Sequence, residues 1–524
     1  MSDIVVRPDH HLGHIVMSYM RQHSDMLCQI DAATGQKETF KSVLSRSIQL
    51  SKCLRNFGFK PGDILAIGGN NHLDIRIPFY SAIFNGLPIV GVDPYYKYDE
   101  IKTLFKITSP KVAFCEEESF NTYINVSRDL GLNTKIITFG NGDKSLSKFL
   151  DAYGDNESEN LFKIAEFDTD TIYAFLMSTS GTTGKVKVAA FNHQPIVWKM
   201  LEFAGVSNNE KRYFIGTNTL NLSPVNWISS YFIAVASPAL GQCQVQTSVP
   251  DNLDIIIDMI NKYKPVSSLI SPSLVTSLLK RRADVDLTCF VYIVMTGSKI
   301  YPDLLTELKT LLRKEASLFE SYGQTESIGP ILKNVPGTPL GSCGKPYSTY
   351  SLKLIDPDTG SEITESNVPG ELLVKGPGFK EYYNDPEETA KVFTEDGFFK
   401  TGDLLYRDDN NFYFFVDRIK TLIKCRNFHV LPAELEEVIR THEGVSEVCV
   451  VGVDDPEDGQ RPVACVVPRN GATITAQEIK RVVTDKLSKH KELRGGVVFL
   501  KEFPRTSTGK IAIKKLLEIV LNSK

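Results

Sequence analysis

Short, almost wholly apolar runs alternate with helical stretches from residue 63 to residue 312, and this rhythm restricts the chain to a narrow class of folds. Asp63-Ile64-Leu65-Ala66-Ile67, Leu87 to Val92, Lys111 to Phe114 and Lys135 to Phe139 read as strands. Ahead of them Thr39 caps a helix whose apolar face is Phe40, Val43, Leu44, Ile48 and Leu54, ended by Gly58; a second helix runs from Leu73 to Asn85 and is closed by Gly86. Strands this short and this apolar, separated by helices, make βαβ units and a parallel sheet covered on both faces. The pattern resumes at Val266 to Ile270 and Val291 to Met295, with helices at Leu274 to Leu279 and Pro302 to Leu312.

From Gly341 the texture changes. Ser351 to Ile355, Glu371 to Lys375 and Phe412 to Val416 are strand-like pieces separated by Asp-Pro, Pro-Gly and Asp-Gly turns, which predicts a small antiparallel barrel near 340–416. A charged run, Asp417-Arg418-Ile419-Lys420, follows. Beyond it Pro432 to Thr441 and Thr475 to Lys489 read as helices, and Val445 to Val453 and Ala464 to Val467 as strands. The expected architecture is α/β: a large N-terminal domain, 1–416, with two parallel-type sheets and the barrel, a hinge at 417–420, and a smaller mobile α+β domain, 421–524. A chain of 524 residues is too long for one core.

Ser178-Thr179-Ser180-Gly181-Thr182-Thr183-Gly184-Lys185-Val186-Lys187 follows the apolar run Ile172 to Met177. Glycines turn backbone N–H groups toward an anion, Ser and Thr add short donors, and lysine supplies charge, so the stretch suits a polyphosphate. Its two glycines lie too close together for the Walker A spacing. Ser321-Tyr322-Gly323-Gln324-Thr325-Glu326 follows a strand, placing it at the sheet's carboxyl edge, where α/β folds bind ligands. A glutamate there suits Mg²⁺ bridging phosphates, and Tyr322 can stack on a base. Thr401-Gly402-Asp403 sets a carboxylate behind a tight turn, chemistry suited to ribose hydroxyls.

In this order and spacing these stretches resemble the adenylate-forming superfamily of acyl- and aryl-CoA ligases, 4-coumarate:CoA ligases and beetle luciferases. Further carriers are Gly341-Ser342-Cys343-Gly344-Lys345-Pro346, Gly370-Glu371-Leu372, Asp417 to Lys420, Pro432 to Glu436 and Thr508-Gly509-Lys510. Leu493-Arg494-Gly495-Gly496-Val497-Val498-Phe499 resembles the luciferase and insect acyl-CoA ligase branch. The resemblance implies ATP, Mg²⁺ and coenzyme A as reactants and cofactors and a small carboxylic acid as substrate. Ser178 to Gly184 with Lys187 would hold phosphates, Thr325 would touch the α-phosphate and Glu326 would ligate Mg²⁺. Asp403, aided by Arg418, would hold the ribose, with Tyr322, Gly323 and Gly297 around the adenine. Lys510 would bridge the acid and the ribose 5′-oxygen, Lys420 would be the hinge, and Lys424 would serve the thioester half-reaction.

Departures from the family pattern sharpen the expectation. Lys185-Val186-Lys187-Val188 lacks the usual proline and glycine of the phosphate loop, and Met295-Thr296-Gly297-Ser298 has one glycine where relatives have two. Trp227 stands where luciferases and 4-coumarate ligases carry a pocket histidine, so the acid pocket of Trp227, Gly297 and Tyr322 has no histidine base. Cys425-Arg426-Asn427 replaces a glycine expected against the pantetheine arm of coenzyme A. The resemblance implies a fatty or aryl carboxylate:CoA ligase, or a luciferase that oxidises an adenylated luciferin with O₂.

Composition bounds the remainder. A net charge of −4 leaves no nucleic-acid footprint, and no apolar run is long enough to span a bilayer. Nine cysteines without a C-x-x-C pair point to reduced thiols and no zinc site. The N-terminus does not read as a secretory leader, and the C-terminus, Leu521-Asn522-Ser523-Lys524, is one leucine short of a peroxisomal signal. A cytoplasmic monomer is the expectation.

Overall fold

The computed structural model describes residues 10–155, 158–180, 186–204, 214–249, 252–297, 300, 302–425, 428–487, 491–506 and 509–523. It is a mixed α/β molecule with a large N-terminal region and a smaller C-terminal one. Two seven-stranded sheets form the large region. The first is ordered Ser317–Glu320, Tyr292–Met295, Ser267–Ile270, Asn218–Leu220, Cys243–Gln246, Leu27–Asp31 and Lys37–Thr39. The second is ordered Glu381–Tyr382, Val186–Asn192, Tyr173–Ser180, Ile89–Val92, Leu65–Gly68, Val112–Cys115 and Lys135–Thr138.

Local chemistry sets the helices as the sequence predicts. The Thr39 hydroxyl accepts the Ser42 N–H at the start of Phe40–Phe57, and Gly58 ends that helix in the left-handed region at φ 109°. Helix Arg76–Asn85 starts three residues later than its apolar pattern suggests and is buried all round. It packs on Phe40–Phe57 within the largest apolar core, as a helix without a polar face must.

Both sheets are parallel at their centres and at one edge, but antiparallel at the other. Tyr173–Ser180 and Val186–Asn192 pair antiparallel, because the five residues between them are too few for a crossover. Leu27–Asp31 and Lys37–Thr39 form an antiparallel hairpin that the helical rhythm downstream does not announce.

The antiparallel unit is a four-stranded sheet of Ser351–Ile355, Gly370–Lys375, Phe399–Arg407 and Tyr413–Arg418, extended by a bridge between Gly344 and Tyr413. Its last strand carries Asp417 and Arg418, and Lys420 sits in the single turn Ile419–Thr421 that follows. The C-terminal sheet has five strands around the long hairpin Val445–Asp455 and Gly459–Pro468. Helices Pro432–Arg440 and Ala476–Lys486 cover one face and Ile513–Asn522 the other. No described helix is long and apolar enough to cross a membrane, and all nine cysteines are buried, with no disulfide among them.

Candidate active site

Asp403 and Arg418 face each other in register on adjacent strands of the antiparallel sheet. The Arg418 Nε lies 3.4 Å from Asp403 Oδ1, while Tyr322 Oη and Gln324 Nε2 donate to Oδ2 at 2.8 and 2.6 Å. Gln324 Nε2 also donates to the Thr401 carbonyl at 2.9 Å, fixing the turn in which Gly402 takes φ 70°. Burial pushes the Asp403 carboxyl upward, and the Arg418 charge and the two donors oppose it. Gln324 has no role in the sequence reading, although it lies inside the motif that carries Tyr322 and Glu326.

Ser321 to Glu326 owes its shape to a close approach. Gly323–Gln324 pairs antiparallel with Gly329–Pro330, and a Cβ on Gly323 would stand 2.0 Å from the Gly329 carbonyl oxygen. The short turn Thr325–Ser327 follows and aims Glu326 toward Tyr382, whose hydroxyl donates to Oε1 at 2.9 Å. Burial raises the Glu326 pKa. Lys187 lies 4.6 Å above the Tyr382 ring and 2.6 Å from Glu388 Oε2. Neither Tyr382 nor Glu388 was found from sequence; nothing in their spacing marks them, because only the pairing of Glu381–Tyr382 with Ala189 and Ala190 brings them beside Lys187.

No group of three or more potential metal-ligating side chains occurs among the described residues. A single carboxylate, Glu326, in the same cleft as Ser178, Thr179 and Lys187 nevertheless fits Mg²⁺, which takes one or two protein carboxylates and completes its shell with phosphates and water.

Lys510 belongs to the C-terminal region, on a turn closed by Thr506 N–H to the Lys510 carbonyl at 2.8 Å. Gly509 in that turn approaches the start of helix Pro272–Lys280: a Cβ there would sit 3.2 Å from Ser273 Oγ. The crowding of protein around the Lys510 ammonium lowers its pKa, Arg418 adds to the effect and Asp403 opposes it. Lys510, Asp403, Arg418, Tyr322, Gly323, Thr325, Glu326, Lys187, Ser178, Thr179, Gly297, Trp227 and Lys420 thus line one cleft of about 3770 Å³. Gly181, Thr182, Thr183, Gly184, Ser298, Asn427 and Thr508 lie outside the described residues, as do the side chains of Ser180 and Lys424.

Trp227 precedes helix Ile228–Leu240, and its indole Nε1 is buried without a hydrogen-bond partner among the described residues. Beside it the cleft continues along one face of the first sheet. In-register residues form three rows there: Ser271, Thr296 and Ser321 just past the carboxyl ends, Leu269, Val294 and Phe319 in the middle, and Thr219, Ser267, Tyr292 and Ser317 at the far edge. The opposite face carries Leu220, Ile293 and Met295 into an apolar core.

The AMP-binding enzyme family matches residues 18–383, and the AMP-binding enzyme C-terminal domain matches residues 434–510. The chain belongs to the AMP-binding enzyme family. This AMP-binding enzyme is 28% identical over 514 residues to the luciferin 4-monooxygenase of Photuris pensylvanica, covering 95% of this chain and 92% of the relative. It is also 28% identical to 4-coumarate-CoA ligase 1 of Narcissus pseudonarcissus, covering 98% and 95%. Its fold is that of ATP-bound MatB from Rhodopseudomonas palustris, with a TM-score of 0.85 at 23% identity over 97% of this chain and 99% of that one. The AMP-binding enzyme is therefore of the adenylate-forming, ligase-type family, as the ordered motifs imply.

Proposed function

We propose that the protein is an ATP-dependent carboxylate:CoA ligase for a fatty or aryl acid. The carboxylate oxygen attacks the α-phosphorus, the bond to the β-phosphate bridging oxygen breaks, and pyrophosphate leaves; the acyl-AMP is then attacked by the coenzyme A thiolate, and AMP leaves. The substrate supplies its own nucleophile, so the chain has to position it and neutralise charge. In this reading Asp403 and Arg418 hold the ribose, Tyr322, Gly323 and Gly297 flank the base, Thr325 touches the α-phosphate and Lys187 serves the distal phosphates. Glu326 would hold Mg²⁺, which offsets the charge of the departing pyrophosphate.

The observation that carries the reading is that Lys510, from the C-terminal region, and the Asp403–Arg418 pair, from the antiparallel sheet, share an electrostatic environment at one cleft. That is where a cation must stand to bridge an acid and the ribose 5′-oxygen. Exchange of labelled pyrophosphate into ATP, dependent on an organic acid, tests it. Lys510→Ala should lower exchange by roughly a hundredfold or more while leaving thioester formation from supplied acyl-AMP near normal. Equal loss in both halves, or no exchange with any acid, would overturn it. In the same frame Lys424 and the hinge Lys420 act in the second half-reaction, after the C-terminal region 421–524 swings relative to 1–416.

A second reading rests on the luciferin 4-monooxygenase relative: the adenylate is oxidised by O₂ instead of passing to a thiol. Light from one acid in air, with no thioester, would select it.

A further inference from the structure

We infer that Glu388 is a positioning residue that sets how tightly this protein holds a polyphosphate, by competing with the distal phosphates for the Lys187 ammonium. The inference rests on the reading in which Lys187 serves those phosphates, and it adds a residue to which that reading gives no role. Lys187 is not a free cation. Its side chain is only 9% exposed, with the ammonium 2.6 Å from Glu388 Oε2 and 4.6 Å from the centre of the Tyr382 ring. Glu388 lies on the short helix Pro386–Val392, and its other carboxylate oxygen, Oε1, accepts from Lys391 Nζ at 2.6 Å. Hydrogen bonds from Lys187 and Lys391 hold the Glu388 carboxyl down to about 2, so it is anionic at neutral pH. All three side chains line the cleft that also holds Thr325 and Glu326.

The ion pair decides what an incoming anion meets. A phosphate oxygen that takes the Lys187 ammonium must displace Glu388 or share the cation with it, and in sharing it stands beside a fixed negative charge. Like charges set side by side in a partly desolvated cleft are costly. Lys391 makes the exchange workable: when Lys187 turns to phosphate, Glu388 keeps a partner on Oε1 and no unpaired carboxylate is left behind. The Tyr382 ring attracts the Lys187 ammonium while its hydroxyl is fixed on Glu326 Oε1, so the contest takes place beside the proposed Mg²⁺ ligand. The same contest acts on the product. A carboxylate that reclaims Lys187 favours the departure of pyrophosphate, whereas AMP and acyl-AMP carry no distal phosphate and do not feel it.

The test is calorimetric titration of the full-length protein with ATP, pyrophosphate and AMP, each with Mg²⁺, since only the first two carry the phosphates that Lys187 serves. Glu388→Gln keeps the size of the side chain and removes its charge. It should tighten ATP and pyrophosphate by about tenfold and leave AMP within about twofold, and product inhibition by pyrophosphate should strengthen to match. If that variant does not fold, Glu388→Ala, on a helix that alanine suits, should do the same. Lys391→Met should weaken both polyphosphates in the native background, because Glu388 is then left to Lys187 alone, and should change little in the Glu388→Gln background. Weaker or unchanged polyphosphate binding in the Glu388 variants, an equal shift for AMP, or a Lys391 effect that persists without Glu388 overturns this inference and leaves carboxylate activation standing. Pyrophosphate affinity untouched by Lys187→Met refutes the role of Lys187 and the inference with it. The expected tightening with no acid-dependent exchange of pyrophosphate into ATP supports the role of Glu388 and refutes the reaction.

Discussion

Glu320 ends the strand that leads into the Tyr322 motif, and its environment makes it a titrating group in the neutral range. It is buried, accepts the Gly341 N–H at 3.1 Å, and desolvation lifts its pKa from 4.5 to about 7. The folded state therefore favours the protonated acid; the stability this contributes is present below the unfolded pKa and is lost as pH rises from about 4.5 through 7. Glu320→Gln keeps an oxygen for Gly341 without the charge, and should raise stability at pH 8 by about 1–3 kcal/mol while changing little at pH 4, measured by denaturant titration. Gly323 is constrained by space, not by charge. With a backbone carbonyl 2.0 Å from any Cβ, Gly323→Ala should destabilise the fold by about 2 kcal/mol or more and shift Tyr322 off Asp403. At this scale the motif residues were legible because each carries its chemistry in its side chain. Tyr382 and Glu388 were not, since tyrosine and glutamate acquire a role only from what a distant strand sets beside them.

Among the elements, the N-terminal helix Leu12–Gln22 is tied down by histidines. His11 caps it, accepting the Gly13 N–H at 3.1 Å, with its Nε2 2.9 Å from the Ala165 carbonyl. Its ring centroid lies 5.2 Å from that of His193, at the start of helix His193–Ala204, whose ring nitrogens have no partner among the described residues. Burial holds both pKa values down, His11 to about 4 and His193 well below the ordinary imidazole value. Both rings are folded neutral, so their contribution is present above about pH 6.5 and is lost as pH falls toward 4, by up to about 1.4 kcal/mol per pH unit for each. His193→Phe should flatten the acid limb of the stability–pH profile; an unchanged slope would count against this account. Helix and strand periodicity was readable for most elements, with boundaries shifted by three residues or fewer, except that the strand read from Ala464 begins at Gly459. The antiparallel pairing of Tyr173–Ser180 with Val186–Asn192 was not, because an apolar run has the same composition whichever way its neighbour runs.

For the whole molecule, the decisive contact is between regions: Gly509 against Ser273. A Ser273→Cys, Gly509→Cys pair should cross-link under oxidation, and the nine native cysteines are buried and out of competition. The proposed domain swing predicts that the cross-linked protein still forms acyl-AMP in a single turnover but does not transfer it to coenzyme A, and that reduction restores transfer. Transfer at the uncross-linked rate would exclude the swing.

By itself the sequence determined the α/β class, the family and the residues that bring charge to the cleft, because apolar periodicity and ordered short motifs are local properties of a chain. Only tertiary structure decided which neighbours tune those charges, such as Gln324 and Tyr322 on Asp403 or Tyr382 on Glu326, and which face of a central sheet is left uncovered. The physical reason is that desolvation and hydrogen-bond pairing depend on distances between residues far apart in sequence. Ser267, Tyr292 and Ser317 read singly as ordinary strand residues and become one polar floor when three parallel strands align in register.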